Sequence, residues 1–262
     1  MNFFKRLYER IYEEIYYLSP YPIRCKLAFF MFSRKGYEWA KANDLDLSKN
    51  GYPPKRGLEK IYDYEFNDVI PIFDNSLLEN LLIEKSLFIQ IGASSGKDIA
   101  YFANKYKTNE FIYTDVAFGA VSYANERYGY LKNIKFVQSG ATEVAKSNLN
   151  SINRHQKVIL LFKGVTSYVD PKKIRLIFKQ FLGFNKDIYI FLCESVEITN
   201  NQKKIYEGKM RHMNFSYNYK KIAESENFKT LIWKRFDPPK EEQGLSRVFG
   251  IFYKKAMAIN LK

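Results

Sequence analysis

The chain has 262 residues, 46% of them apolar and 17% aromatic, which is ample for a packed core and excludes a mainly disordered polypeptide. Its 42 Lys+Arg against 28 Asp+Glu give a formal charge of +14, which suits acidic partners such as phosphorylated substrates, nucleotides or nucleic acid, or simply a well-solvated basic surface. Two cysteines (Cys25, Cys193) and two histidines (His155, His212) exclude a disulfide-stapled fold, a zinc cluster of cysteines and a multi-histidine metal site.

Phe3, Phe4, Leu7, Tyr8, Ile11 and Ile15 recur at three- and four-residue spacing and predict a helix over 3–17. Ser19-Pro20-Tyr21-Pro22 ends it, because proline has no backbone donor. A second helix is expected over 23–41, a break at Gly51-Tyr52-Pro53-Pro54, and a third helix near 77–84. Residues 1–83 are therefore read as a helical N-terminal cap or lid. Its aromatic faces could also serve a homodimer contact or a membrane surface. The longest apolar run in this region, Leu27–Phe32, is far shorter than the roughly 20 residues a spanning helix needs. Glu9, Glu13 and Glu14 stand where a signal peptide would be apolar, so the expectation is a cytoplasmic protein with no transmembrane segment.

From residue 84 to 262 strands and helices alternate. Strands are expected at 87–91, 111–114, 134–137, 158–162 and 188–193. Helix faces between them carry Ile99, Phe102, Ala103 and Tyr106, then Val121, Ala124 and Tyr128. Asp170-Pro171 should open a helix with Ile174, Ile177, Phe178, Phe181 and Leu182 inward. Ser216 should cap a helix carrying Tyr219, Ile222 and Ala223. Near-continuous apolar strands joined by helices indicate a parallel sheet covered on both faces. The final strands, 230–236 and 247–253, are separated only by Asp237-Pro238-Pro239 and Gly244. That leaves no room for a crossover helix, so they should be antiparallel.

Two features carry chemistry. Gln90-Ile91-Gly92-Ala93-Ser94-Ser95-Gly96-Lys97 places a glycine turn between the first strand and the first helix of the array, where backbone can approach a ligand closely. Asp115 ends the second strand, 19 residues beyond Gly96, where a carboxylate can take both hydroxyls of a ribose or cap the next helix. A dinucleotide fingerprint would need glycines where Ser94 and Lys97 stand.

On these residues the stretch from about 84 to 255 resembles the class I S-adenosylmethionine (SAM)-dependent methyltransferases. The resemblance implies an α/β, Rossmann-like sandwich with a seven-stranded, mostly parallel sheet and an antiparallel last strand. It also implies SAM as cofactor and S-adenosylhomocysteine (SAH) as product. By resemblance, Gln90, Gly92, Ala93, Ser94, Ser95 and Gly96 would wrap the methionine part and Asp115 the ribose. Val116 would flank the adenine, Ala141 and Thr142 would edge its pocket after Gly140, and Lys163 and Gly164 would border the methyl donor. The chain departs from the family pattern at Gln90, where relatives carry an acid, at Ser94, where they carry glycine, and at Gly140, where they offer an aspartate. Ile91-Gly92-Ala93-Ser94-Ser95-Gly96 and Asn214-Phe215-Ser216-Tyr217-Asn218-Tyr219 are similar to bacterial methyltransferases encoded beside capsule and lipopolysaccharide genes.

Methyl transfer to an alcohol needs alignment and a base. His212, in Lys209-Met210-Arg211-His212-Met213-Asn214, is the first candidate because it titrates near neutrality. Glu194, read as following the fifth strand, is the second, with Glu197 beside it. Tyr168, Arg211 and Asn218 are candidate substrate contacts. Lys203, Lys204, Lys209, Lys220 and Lys221 add positive charge suited to a phosphorylated or nucleotide-activated sugar. Asp170, Glu194 and Glu197 form no dense carboxylate cluster, so no metal is expected. The expected enzyme is an O-methyltransferase acting on a precursor of a bacterial surface polysaccharide. The alternatives are an RNA methyltransferase and a non-catalytic SAM-fold subunit that binds a partner. RNA is not favoured: there is no appended RNA-binding module and no Asn-Pro-Pro-Tyr-type motif after the fourth strand.

Overall fold

The computed structural model describes residues 36–38, 40–41, 75–197, 216–236 and 245–256. The expected helix over 3–17, most of that over 23–41 and the break at 51–54 lie outside the described residues, as do Arg211 and His212.

Helix α1 (Asn75–Ile83) leads into β1 (Leu87–Ile91), α2 (Lys97–Lys105), β2 (Glu110–Asp115), α3 (Phe118–Tyr128) and β3 (Ile134–Gln138). Two short helices, α4 (Val144–Ser147) and α5 (Leu149–Arg154), precede β4 (Lys157–Lys163). Then come α6 (Leu176–Lys179), β5 (Asp187–Glu197), α7 (Tyr219–Ser225), β6 (Lys229–Phe236) and β7 (Leu245–Lys254). The seven strands form one sheet in the order β3-β2-β1-β4-β5-β7-β6. Pairings among β1 to β5 are parallel, while β7 runs antiparallel to both β5 and β6. The strand order reverses between β1 and β4, and the carboxyl ends of such strands are where ligands bind in open α/β sheets.

Both faces of the sheet are covered, which is why β1 is buried along its whole length. Leu87, Ile89 and Ile91 pack in one core with Val158, Leu160, Phe178, Ile190 and Ile222. Phe88 turns the other way, into a second core with Phe102, Phe111, Tyr113, Leu161 and Phe249. Residues 36–38 and 40–41 are helical and dock on α3. A Cβ on Gly119 would come within 2.5 Å of Tyr37 N, so only glycine permits this approach. The Tyr37 ring meets Tyr123 edge-on at 5.4 Å, and its hydroxyl donates to Glu126 Oε2 at 2.7 Å.

Three expectations are corrected, and two short helices are added. The apolar face Ile174, Ile177, Phe178 and Phe181 is fully buried, but the helix expected from Asp170 is reduced to α6. Three-residue bonds such as Leu176 N to Lys173 O and Ile177 N to Ile174 O replace regular α turns before it. The cap of α7 is Asn218, whose Oδ1 accepts from Lys221 N at 3.0 Å, and not Ser216. Helices α4 and α5 were not foreseen, being only 4 and 6 residues long. Strand β5 is longer than expected and contains Glu194, because β7 continues to pair with it beyond the end of β4, through Val248 at Glu194 to Leu245 at Glu197.

Candidate cofactor cleft at the carboxyl edge

The turn after β1 is held in shape by β2. Gly92 and Gly96 take left-handed backbone, φ +66° and +79°, and Ser94 does so without being glycine, at φ 49°. A left-handed non-glycine residue costs on the order of 1–2 kcal/mol, and two bonds on either side of Ser94 hold it there. Ser94 N donates to Asp115 Oδ2 at 3.0 Å, and Tyr113 OH donates to Ser94 O at 2.6 Å. The departure from glycine at this position is thereby accommodated. Gly96 also needs its missing side chain: a Cβ would meet Ala124 Cβ at 3.1 Å and the Tyr113 ring at 3.2 Å. Ala93 and Ser95 are buried within the turn.

Asp115 is nine-tenths buried, and its other oxygen, Oδ1, accepts from Ala117 N at 2.9 Å. Burial pushes its carboxyl up from the usual range, and the backbone N–H groups of Ala117, Ser94 and Val116 pull it back. A carboxylate has about four acceptor positions, so the amides that hold it leave some capacity for a hydroxyl donor. Asp115 does not cap α3: the amide it takes is that of Ala117, the cap residue itself, and no side chain among the described residues caps the helix.

Gln90 Nε2 donates to Asp98 Oδ2 at 3.2 Å, and Lys163 Nζ pairs with the same oxygen at 3.1 Å. A carboxylate only accepts, so the amide nitrogen faces Asp98 and Gln90 Oε1 faces away. That buried oxygen has no hydrogen-bond partner among the described residues. Asp98 thus brings an acid from the first turn of α2 next to Gln90. It stands eight residues beyond Gln90, as the second residue of the helix that follows the turn, and carries no role in the sequence reading.

The turn after β4 faces the turn after β1. Gly164 has φ +66°, and nothing lies within 4 Å of where its Cβ would be. A Cβ on Gly92 would lie 1.8 Å from Val165 Cγ2. Glu194 Oε1 accepts from Val165 N and Thr166 N, both at 2.8 Å. Glu194 is 2% exposed; burial pushes its carboxyl up, against the amides and hydroxyl of the 165–167 turn. Its Oε2, Thr166 Oγ1 and Tyr219 OH lack a geometric hydrogen bond among the described residues. This arrangement is that of a loop anchor removed from solvent.

Around these turns, Val116 is half-buried and Ala141 O accepts from Gln180 Nε2 at 2.8 Å. Thr142 lies beside Ala141, half-buried, and a Cβ on Gly140 would meet nothing within 4 Å. Tyr168 is exposed on the short helical turn Thr166–Tyr168. Asn218 is engaged as the α7 cap. Among the described residues no group of three or more His, Cys, Asp or Glu is placed to hold a metal, and no helix is long and apolar enough to cross a membrane.

No protein-family model matches the chain, and no curated protein matches it. Solved structures do. Magnesium protoporphyrin IX methyltransferase (ChlM) from Synechocystis PCC 6803 with bound SAM superposes at a TM-score of 0.53 and 10% identity, over 87% of this chain and 96% of that one. The same protein with bound SAH gives 0.50 and 12% identity, over 82% and 97%. DszA carbon methyltransferase gives 0.50 and 13% identity, over 97% of this chain and 71% of that one. At such identities the likeness is one of architecture, and with the sheet order above it establishes that this chain has the Rossmann-like fold of the class I SAM-dependent methyltransferases.

Proposed function

We propose that the chain is a SAM-dependent O-methyltransferase whose acceptor is a sugar or nucleotide-activated, phosphate-bearing precursor of a bacterial surface polysaccharide. The observation that carries the cofactor class is the clamp of Asp115 on the Gly92–Gly96 turn at the carboxyl edge of the sheet. The residues present fit SAM. Gln90 Oε1 is a buried acceptor in want of a donor, as an α-ammonium would be. Lys163, paired with Asp98, adds positive charge at the cleft, Asp115 has acceptor capacity for a ribose hydroxyl, and Gly164 leaves open room. Gly92, Ala93, Ser94, Ser95 and Gly96 would line the methionine part, with Val116, Ala141 and Thr142 around the adenine.

When bound, SAM supplies an electrophilic methyl group on a positively charged sulfur. The work of this chain is then alignment and proton removal. The opposed turns after β1 and β4, locked by Val165 against Gly92, fix the cleft width and so the line of attack. His212 takes the acceptor proton, while Arg211 and Tyr168 orient the acceptor. Asn218, at the start of α7, stays in the substrate region but spends Oδ1 on the helix. Glu194 acts through the loop it anchors and not as the base, because both amides it holds and its burial keep it from an acceptor hydroxyl. The formal charge of +14 favours an anionic acceptor.

The test is transfer of a labelled methyl group from SAM to a panel of nucleotide sugars and sugar phosphates, with single-stranded RNA as the other arm. Label on a sugar hydroxyl supports the reading. Label on RNA alone replaces it with the RNA reading, and SAM binding without any transfer favours a partner-binding subunit.

A further inference from the structure

A second cavity lies at the opposite edge of the sheet, about 440 Å³ in volume. It is lined by residues at the amino ends of the strands: Lys85 before β1, Asn109 and Glu110 at β2, Lys132 and Lys135 around the start of β3, and Arg154 and His155 before β4. Strand β1 has five residues at about 3.3 Å each, so this cavity and the SAM cleft are separated by roughly 16 Å of sheet.

The charges around it are unbalanced. Four cations face one carboxylate. That carboxylate, Glu110, is already spent: it accepts from Arg154 Nη2 at 3.1 Å and from Ser151 Oγ at 2.6 Å. Lys85, Lys132 and Lys135 have no ion pair among the described residues. The floor is built rather than superficial. Asn109 is 2% exposed and fixed by Ser86 N and Leu82 O. His155 is 7% exposed, and its Nδ1 donates to Ser151 O at 2.8 Å. Among the described residues its Nε2 has no hydrogen bond, and Glu110 Oε2 lies 3.9 Å from it. Asn133, braced on Ala103 O, adds a polar wall.

We propose that this cavity binds the phosphate groups of a nucleotide-sized ligand, separately from the donor cleft. The volume suits a small molecule, within the usual 300–1,000 Å³ of ligand pockets. Three unpaired lysines suit a diphosphate, whose oxygens accept from several donors at once. The assignment does not depend on methyl transfer.

The test is calorimetric titration of the full chain with inorganic pyrophosphate and with UDP, neither of which carries adenine, in the presence and absence of saturating SAH. Binding of both, unaffected by SAH and weakening steeply with added salt, is expected. The exposed pair Lys132→Glu and Lys135→Glu should weaken it at least about tenfold while leaving the circular dichroism spectrum and SAH binding unchanged. Competition by SAH would put the anion at the carboxyl edge and overturn the proposal, as would unchanged affinity in the double variant or no binding. Binding of a single-stranded RNA through the same lysines, without pyrophosphate or UDP, would overturn the small-ligand assignment.

Discussion

Asp115 Oδ2 accepts the Ser94 N–H at 3.0 Å, so the carboxylate that ends β2 also shapes the turn that ends β1. The same side chain thus has a structural duty and, on the proposed function, a binding duty. Asp115→Ala should weaken SAM binding by about 1–3 kcal/mol and also lower the melting temperature, because the buried Ala117 amide and the half-buried Ser94 amide lose their acceptor. Unchanged SAM affinity in a folded Asp115→Ala protein would remove the ribose assignment.

Gly92 and Val165 form the second link across the cleft. Gly92→Ala adds a methyl 1.8 Å from Val165 Cγ2 on left-handed backbone. It should destabilise the chain, and Val165→Ala in the same molecule should recover part of the loss. The recovery expected in a double-mutant cycle is about 0.5–3 kcal/mol. Strict additivity in chemical denaturation would mean that the two turns are not in contact.

Glu194 makes stability depend on pH in a defined direction. Burial raises its folded-state pKa above the unfolded value, so the folded chain holds that proton more tightly. The stabilisation is fully present below the unfolded glutamate range and is lost as pH rises through the folded value. Glutamine keeps an oxygen for the Val165 and Thr166 amides but cannot ionise. The melting temperature of Glu194→Gln relative to the wild type should therefore climb as pH rises above the unfolded glutamate range. A flat or falling difference above that range would mean that the carboxylate is not penalised by its site.

His212→Ala should reduce turnover about 10²–10⁴-fold with SAM affinity retained, the signature of a base acting on the acceptor. A near-normal rate in steady-state kinetics would shift the proton to a group on the acceptor itself.

The sheet was legible because each strand is a short apolar run between polar turns, and because Asp237-Pro238-Pro239 leaves no room for a crossover before the last strand. The Gly92–Gly96 turn was legible for the same reason: glycine has few uses directly after a buried strand. What the sequence hid were relations between distant residues. Nothing local shows that Tyr113 and Asp115 would hold Ser94 in place of a glycine, or that Asp98 would meet Gln90 and Lys163. The burial of Glu194 was hidden because it depends on β7 pairing past the end of β4, and strand ends are set by the partner strand. Helices α4 and α5 were hidden by brevity and by the Ser and Asn residues at 147–153, which read as loop.

The central claim is that the carboxyl edge between β1, β2 and β4 is a SAM cleft. Calorimetric titration of the full chain with SAM and SAH, with NAD as control, tests it most directly. The account predicts submillimolar binding of either sulfur ligand and none of NAD. A well-folded sample that binds neither sulfur ligand would contradict it and leave the fold without its cofactor.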